Sequence, residues 1–202
     1  MIKVYGSYNT RASRTLWMLE ELGQPYELIS TTPFDGTSQK EEYASVNPNQ
    51  KVPTLVDGDF TIWESMAINF YLAEKYDNGL QPKSPETRGE AIQWAFWAMT
   101  EAESDLLVHL FHRVLYPEEK RDSTKAEAAA KALQKPLAIL DKALEGKDYL
   151  VENRFTVADL NVASIFSYGR FARLDMKSFE NVSRWLKACM SRPAFNKGTG
   201  RE

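Results

Sequence analysis

The sequence predicts an α/β domain followed by an all-α domain. The first 78 residues mix strand and helix signals, whereas the residues after position 88 follow helical periodicity throughout. Between them, Asn78-Gly79, Pro82 and Pro85 interrupt both patterns, as is typical of a linker. We therefore predict an α/β domain at 1–78, a linker at 79–88 and an all-helical domain at 89–202.

The α/β domain opens with a strand-helix-strand unit. Residues 2–5 form a β-branched and aromatic run that ends at Gly6, and a helical apolar face begins at Ala12. Gly23 stands where the cap of that helix would lie, and residues 26–29 form the second strand signal. Strands joined through a helix in this way usually pair in parallel.

The rest of this domain contains a short helix around 39–44, a hairpin and a final helix. The strand signals at 54–56 and 60–63 flank Asp57-Gly58-Asp59, a typical hairpin turn. The final helix is predicted over 65–76. The complete order is therefore β-α-β-α-β-β-α, followed by helices only.

The second domain is predicted to be a bundle of helices. Thr156 and Asp159 have the spacing of a capping box, which marks a helix start. Pro136 should bend the helix that contains it, because its ring removes one backbone hydrogen bond. The predicted helices cover 89–114, 123–144, 157–168 and 179–191.

Composition excludes several classes of function. The chain has 25 basic and 28 acidic residues, so it lacks the basic surplus that nucleic-acid binding requires. Cys189 is the single cysteine, which rules out an internal disulfide and favours a reducing, cytoplasmic setting. His109 and His112 could share a helix face but lack a third ligand nearby in sequence, so no metal site is expected. The N-terminus resembles a strand and not a signal peptide, and no apolar run approaches the roughly 18 residues of a membrane span.

Three motifs in the first domain carry the functional prediction: residues 6–13 (GSYNTRAS), 47–55 (NPNQKVPTL) and 63–68 (WESMAI). Together with FTVAD at 155–159, they resemble the cytosolic glutathione S-transferase family over essentially the whole chain. The resemblance implies a thioredoxin-like N-terminal domain, a C-terminal helical bundle, glutathione as co-substrate and a homodimer. Gln50 departs from the family pattern, since many members have glycine there.

The resemblance also implies a glutathione-binding set. Val52 would pair its backbone with the cysteinyl unit, because a cis bond to Pro53 turns that backbone outward. Ser65 and Glu64 would bind the γ-glutamyl carboxylate and ammonium at a helix N-terminus, where free N–H groups favour an anion. Lys51 would contact the glycyl carboxylate. The alternatives are a trans turn proline, a serine that only caps its helix, and a solvated lysine.

A hydroxyl is expected to stabilise the glutathione thiolate. A free thiol has a pKa of about 8.5, so ionisation near neutrality needs a hydrogen-bond donor and a favourable helix terminus. Thr10 lies four residues after Gly6, where serine-type members of the family carry their hydroxyl. The loop contains no cysteine, which favours a serine/threonine-type over a cysteine-type enzyme. Thr10 could equally be only the cap of the first helix; the other candidate donors are Ser7, Tyr8, Asn9 and Ser13.

A pocket for the second substrate is expected beside this loop. Its candidate residues are Tyr8, Trp97, His109 and His112, although each could instead be a core or dimer contact. Glu101, Glu103 and Asp105 are candidates for an acid that reaches the partner subunit's glutathione.

The expected reaction is attack of the thiolate on a small, mostly hydrophobic electrophile, as in detoxification. The alternatives are a glutathione-dependent peroxidase, dehalogenase or isomerase, or a non-catalytic binding or regulatory protein. The intact pairs at 51–53 and 64–65 argue against a non-catalytic protein, which would have no need of them.

Overall fold

The computed structural model describes residues 1–76 and 78–201, and its contacts divide the chain into two units. The first unit contains residues 1–81 together with 191–202, and the second contains 82–190. This differs from the predicted boundaries, which assign 191–202 to the helical domain. Asp77, which lies next to the predicted end of the α/β domain at residue 78, is outside the described residues.

The first unit is built on a sheet with the strand order β2-β1-β3-β4. The strands are β1 (Ile2–Gly6), β2 (Tyr26–Ser30), β3 (Thr54–Asp57) and β4 (Phe60–Trp63). β1 and β2 are parallel, whereas β3 is antiparallel to both β1 and β4. The parallel pair and the hairpin are therefore confirmed. Gly58 supplies the positive φ of 64° that the hairpin turn requires.

Three helices flank the strands along the chain: α1 (Ala12–Leu22), α2 (Glu41–Ala44) and α3 (Ser65–Lys75). α1 ends at Gly23, which caps the helix as predicted; its backbone is left-handed, and its N–H donates to the carbonyl of Glu20. α1 packs against α3 and is buried on most sides. A 3₁₀ turn over Thr37–Gln39 precedes α2. The predicted order β-α-β-α-β-β-α is thus confirmed for the N-terminal part of this unit, residues 1–75.

The second unit is helical among its described residues. It contains α4 (Pro85–Glu101), α5 (Glu103–Leu110), α6 (Ser123–Ala132), α7 (Gln134–Ala143), α8 (Val157–Phe171) and α9 (Glu180–Met190). Shorter helical turns cover Phe111–Leu115 and Glu118–Lys120.

Two helices predicted as continuous are divided. The helix expected over 89–114 begins earlier, because Ser84 and Thr87 form a capping box, and it is interrupted at Ala102. The helix expected over 123–144 is divided at Leu133, whose ψ of −13° departs from the helical value. The break lies one turn before Pro136. Proline has no N–H to donate to the carbonyl of Ala132, and this missing hydrogen bond is the reason given above for a bend.

The capping box at the start of α8 is confirmed. The Thr156 N–H donates to Asp159 Oδ2 at 3.0 Å, and the Ala158 N–H donates to Thr156 Oγ1 at 3.3 Å. Asp159 Oδ1 also accepts the Leu150 N–H at 2.8 Å and Trp185 Nε1–H at 2.9 Å. One buried carboxylate therefore joins the start of α8 to the preceding loop and to α9.

A tenth helix, α10 (Pro193–Gly198), was not predicted. Its six residues are too few to show a helical period in sequence. It packs on α1: the Phe195 ring meets Trp17 edge-on at 4.9 Å, and Arg192 donates two hydrogen bonds to Glu21 at 2.6 and 2.7 Å. This packing is what places the chain's C-terminal segment in the first unit.

No helix within the described ranges is both long and apolar enough to span a membrane.

Candidate functional site

The register of the sheet brings the three N-terminal motifs to one edge. Tyr5 near the end of β1 pairs with Thr54 at the start of β3, and Thr54 pairs with Trp63 at the end of β4. The loop after β1, the segment before β3 and the start of α3 therefore leave the sheet at the same edge. This explains how motifs separated by about forty and sixty residues in sequence can form one site.

The segment before β3 is held by buried polar side chains. The Lys51 carbonyl accepts the Tyr43 hydroxyl at 2.6 Å and the Asn47 amide at 2.8 Å. Both side chains also bond Thr54 Oγ1, at 2.8 and 3.0 Å. Burial raises the pKa of Tyr43, which keeps this hydroxyl protonated and able to donate. Sequence reasoning missed Tyr43, although Asn47 before Pro48 is a recognisable turn signal.

The backbone of Val52 is open to a ligand. The Val52–Pro53 bond is cis, as predicted, and Pro53 is buried. Within the described part of the chain, no hydrogen bond uses the N–H or C=O of Val52. Gln50 has a φ of 53°, which favours glycine and explains the family preference at this position. The Lys51 side chain is exposed, so it is accessible to an anion.

The start of α3 exposes backbone donors beside a buried hydroxyl. Glu64 occupies the cap position with φ 75° and ψ 112°, and no side chain caps the helix. Ser65 is the first helical residue and is 3% exposed; its Oγ accepts a hydrogen bond from Arg14 Nη1 at 3.4 Å. Ser65 is therefore not the capping serine that was the alternative. The first N–H groups of the helix lack intrahelical acceptors, which suits an anion.

The hydroxyls of the loop after β1 are bonded within the loop. Thr10 Oγ1 donates to the Ser7 carbonyl at 2.8 Å and accepts the Ala12 N–H at 3.2 Å. Ser7 Oγ donates to Asn9 Oδ1 at 2.6 Å, and Ser13 Oγ donates to the Thr10 carbonyl at 2.9 Å. Arg11 and not Thr10 occupies the cap position of α1, so Thr10 is not the capping residue that was the alternative, although its Oγ1 accepts the N–H of the first helical residue. A thiolate would have to displace the Ser7 carbonyl in order to accept the hydroxyl proton of Thr10.

Tyr8 lies on this loop and is exposed. Its ring is close to Gly200, where a Cβ would come within 2.9 Å of the ring carbon Cγ. Nearby, the Tyr26 hydroxyl donates to Glu20 Oε1 at 2.9 Å. Burial is the largest cause that raises the pKa of Tyr26, and Glu20 and Tyr8 raise it further. This hydroxyl therefore stays neutral and does not act as a base.

The other predicted pocket residues lie in the helical unit and have partners there. His109 is buried, and its Nδ1–H donates to the Ala126 carbonyl at 2.9 Å, which makes it a contact between α5 and α6 and not an open pocket wall. His112 Nδ1 accepts the Asp122 N–H at 3.2 Å and its ring packs on Tyr116. The Trp97 ring packs parallel to that of Phe166, at 6.1 Å between ring centroids.

Of the three acids proposed to reach a partner subunit, Glu103 is buried, Asp105 is half-buried and Glu101 is exposed. Glu101 and Asp105 therefore remain the candidates.

Within the described ranges, no group of three or more His, Cys, Asp or Glu side chains is arranged to hold a metal ion.

Comparison with known proteins identifies the family. Residues 1–74 match the glutathione S-transferase N-terminal domain model, and residues 104–193 match the C-terminal domain model. Glutathione S-transferase GstB of Escherichia coli is 34% identical over 205 residues, covering 98% of this chain and 97% of that protein. Glutathione S-transferase D6 of Drosophila melanogaster is 31% identical over 186 residues, covering 90% of this chain and 82% of that protein.

Comparison with solved structures gives the same family. The theta class glutathione S-transferase of Xanthomonas axonopodis pv. citri, determined with glutathione bound, superposes with a TM-score of 0.91 at 31% identity. The superposition covers 98% of this chain and 96% of that one. The likeness thus extends over both units, and the chain belongs to the glutathione S-transferase family.

Proposed function

We propose that this protein is a glutathione transferase that joins the glutathione thiolate to a small, mostly hydrophobic electrophile. The observation that carries the proposal is the meeting of three features at one sheet edge: the open backbone of Val52, the uncapped start of α3 at Ser65, and the hydroxyl of Thr10 at the start of α1. Each suits a different part of glutathione. The bound glutathione of the theta-class relative is consistent with this assignment.

Glutathione is held by complementary chemistry in this proposal. Val52 pairs with the cysteinyl backbone as an added strand would, and the exposed Lys51 attracts the glycyl carboxylate. The start of α3 and Ser65 receive the γ-glutamyl carboxylate, while Glu64 attracts the ammonium group. The unusual backbone of Glu64, with φ 75°, is a conformation that costs about 1–3 kcal/mol and is often retained at binding sites.

The reaction forms a carbon–sulfur bond. The thiol loses its proton to solvent and the thiolate attacks an electrophilic carbon. Either a leaving group departs with the electron pair of its bond, or the attacked double bond becomes a carbanion that takes up a proton from solvent. Thr10 favours the anion by donating its hydroxyl proton to sulfur. A bond to a charged acceptor is about twice as strong as one to a neutral carbonyl, so the thiolate can displace the Ser7 carbonyl from Thr10. This makes the enzyme a serine/threonine-type member of the family.

A homodimer in the cytoplasm completes the proposal. Glu101 or Asp105 would reach the γ-glutamyl group in the partner subunit. Size-exclusion chromatography with light scattering tests the dimer directly.

Activity assays separate this function from its alternatives. Parallel turnover of a chloronitrobenzene, an organic hydroperoxide and a maleyl isomer in the presence of glutathione distinguishes transferase from peroxidase and isomerase. Faster conjugation than peroxide reduction supports the proposal. Retention on immobilised glutathione without turnover of any electrophile would instead indicate a non-catalytic binding protein.

Ser65→Ala is expected to weaken glutathione binding by about 10- to 150-fold. The substitution removes a hydrogen bond to a charged group, worth roughly 1.5–3 kcal/mol. Calorimetric titration with glutathione measures the effect. Ser45→Ala is the matched control, because Ser45 is an exposed serine of the same unit whose hydroxyl bonds only the Glu42 carbonyl among the described residues. Equal affinity of the Ser65→Ala variant and the parent would remove Ser65 from the site.

Thr10→Val is expected to raise the pKa of bound glutathione by about one to two units, at about 1.4 kcal/mol each. The donor is lost while the shape of the side chain is kept. The ultraviolet absorbance of the thiolate can be titrated directly, and Thr10→Ser should behave like the parent because it keeps the hydroxyl.

Affinity for S-methylglutathione should stay nearly constant in Thr10→Val, since that ligand has no thiolate. A shift caused by Ser7→Ala or Tyr8→Phe, with none caused by Thr10→Val, would identify a different donor. No shift in any variant would assign the effect to backbone N–H groups at the start of α1.

A further inference from the structure

A buried arginine contacts the hydroxyl of Ser65. Arg14 lies on α1 and is 1% exposed, although arginine is almost never fully buried in proteins. Its Nη1 lies 3.4 Å from Ser65 Oγ, across 51 residues of sequence. The Asn69 amide of α3 donates to the Arg14 carbonyl at 3.4 Å and joins the same two helices.

The chemistry of this contact fixes the direction of the serine proton. A guanidinium group can donate hydrogen bonds but cannot accept one, so Arg14 occupies a lone pair of Ser65 Oγ. A hydroxyl has one proton, which must then be donated elsewhere. In the part of the chain that the structure describes, no side chain or backbone acceptor takes it. The Ser65 proton is therefore available to an anion at the start of α3.

We propose that Arg14 is a positioning residue that orients the Ser65 hydroxyl as a donor to the γ-glutamyl carboxylate of glutathione. This inference rests on the proposed function, because it needs the carboxylate to lie at the start of α3. Arg14 acts through its N–H, which occupies a lone pair of Ser65 Oγ and so blocks the orientation in which the serine would accept from another donor at that position.

The test compares two ligands that differ in one group. The first is glutathione, and the second is 4-aminobutanoyl-cysteinylglycine, which lacks the α-carboxylate of the γ-glutamyl unit. Arg14→Met should weaken glutathione binding at least about tenfold, as expected for losing one well-placed charged interaction. Its affinity for the second ligand should remain within about twofold of the parent, because the carboxylate that the arginine serves is missing.

Two further readouts separate positioning from general structural support. In a Ser65→Ala background, Arg14→Met should change glutathione affinity by less than about threefold, because the hydroxyl that it orients is gone. The pKa of the bound thiol should also be unchanged in Arg14→Met, since Thr10 stabilises the thiolate in this proposal, whereas Arg14 acts on the γ-glutamyl carboxylate through Ser65. Arg14→Lys keeps the charge but not the planar donor group, and its affinity should lie between those of the parent and Arg14→Met.

Arg192→Met provides a matched control. Arg192 also bonds a residue of α1, because it donates to both carboxylate oxygens of Glu21. This variant loses an arginine held against the same helix, and its affinity for both ligands should equal that of the parent. If Arg14→Met fails to fold, as judged by circular dichroism, Arg14→Lys carries the comparison.

The proposal is overturned if the Arg14 variants bind glutathione like the parent. It is also overturned if Arg14→Met weakens both ligands equally, or shifts the thiol titration as Thr10→Val does, because Arg14 would then only support α1. A parent protein that binds neither ligand contradicts the proposed function itself, and this inference with it. Loss of affinity in Ser65→Ala together with normal affinity in both Arg14 variants leaves the function intact and rejects only the role of Arg14.

Discussion

Asp159→Ala is expected to destabilise the helical unit by roughly 3–5 kcal/mol, the range for leaving several buried polar groups without partners. The Asp159 carboxylate accepts the N–H of Leu150, the N–H and hydroxyl of Thr156, and the indole N–H of Trp185. All of these donors are buried with it. Alanine would leave them unpaired and would also remove the Asp159 half of the capping box of α8, so the loss of stability should be among the largest in the chain.

Chemical denaturation followed by circular dichroism measures this loss. Asp159→Asn tests the mechanism, because it keeps the shape of the side chain but turns an NH₂ group toward the buried donors. Its loss of stability should be close to that of the alanine variant. Glu127→Ala is the control, since Glu127 is an exposed acid on α6 and surface changes of this kind stay within about 0.5 kcal/mol. A loss below about 1 kcal/mol in Asp159→Ala would show that the surrounding donors find other partners.

Gly198→Ala is expected to destabilise the first unit by at least about 1–3 kcal/mol, the usual cost of overpacking a core. A Cβ on Gly198 would lie 2.3 Å from Trp17 Cα and 2.4 Å from Trp17 N. These are backbone atoms of α1, so they cannot rotate away as a side-chain end would. Relief requires α10 to move away from α1, which would uncover Trp17 and Phe195.

Gly89→Ala is the matched control for this substitution. Gly89 lies within α4, and apart from its chain neighbours and the backbone of its own helix no described atom is within 4 Å of the added Cβ, so alanine should stabilise that helix by up to about 1 kcal/mol. Urea denaturation of both variants, with proteolysis of the C-terminal segment as a second measurement, gives the comparison. If Gly198→Ala is as stable as the parent and its C-terminus is equally protected, the close packing of α10 on α1 does not hold in solution.

Local signals explain what could be predicted from sequence. The hairpin turn at Gly58, the cap at Gly23 and the capping box of Thr156 and Asp159 each depend on residues a few positions apart. Their geometry is decided by backbone conformation and short-range hydrogen bonds, which residue types reveal directly. The glutathione-binding residues were predicted for a different reason, since the resemblance to a family supplied roles that no local pattern contains.

Tertiary packing decided the rest, because burial and partner choice depend on residues far apart in the chain. By itself, the sequence determined an α/β domain followed by helices, a cis bond before Pro53 through the family resemblance, and the motifs that converge on one sheet edge. Only the structure showed that Arg14 is buried against Ser65 and that α10 packs on α1. It also showed that Thr10 bonds within its own loop, because a hydroxyl bonds whichever acceptor the folded backbone brings closest.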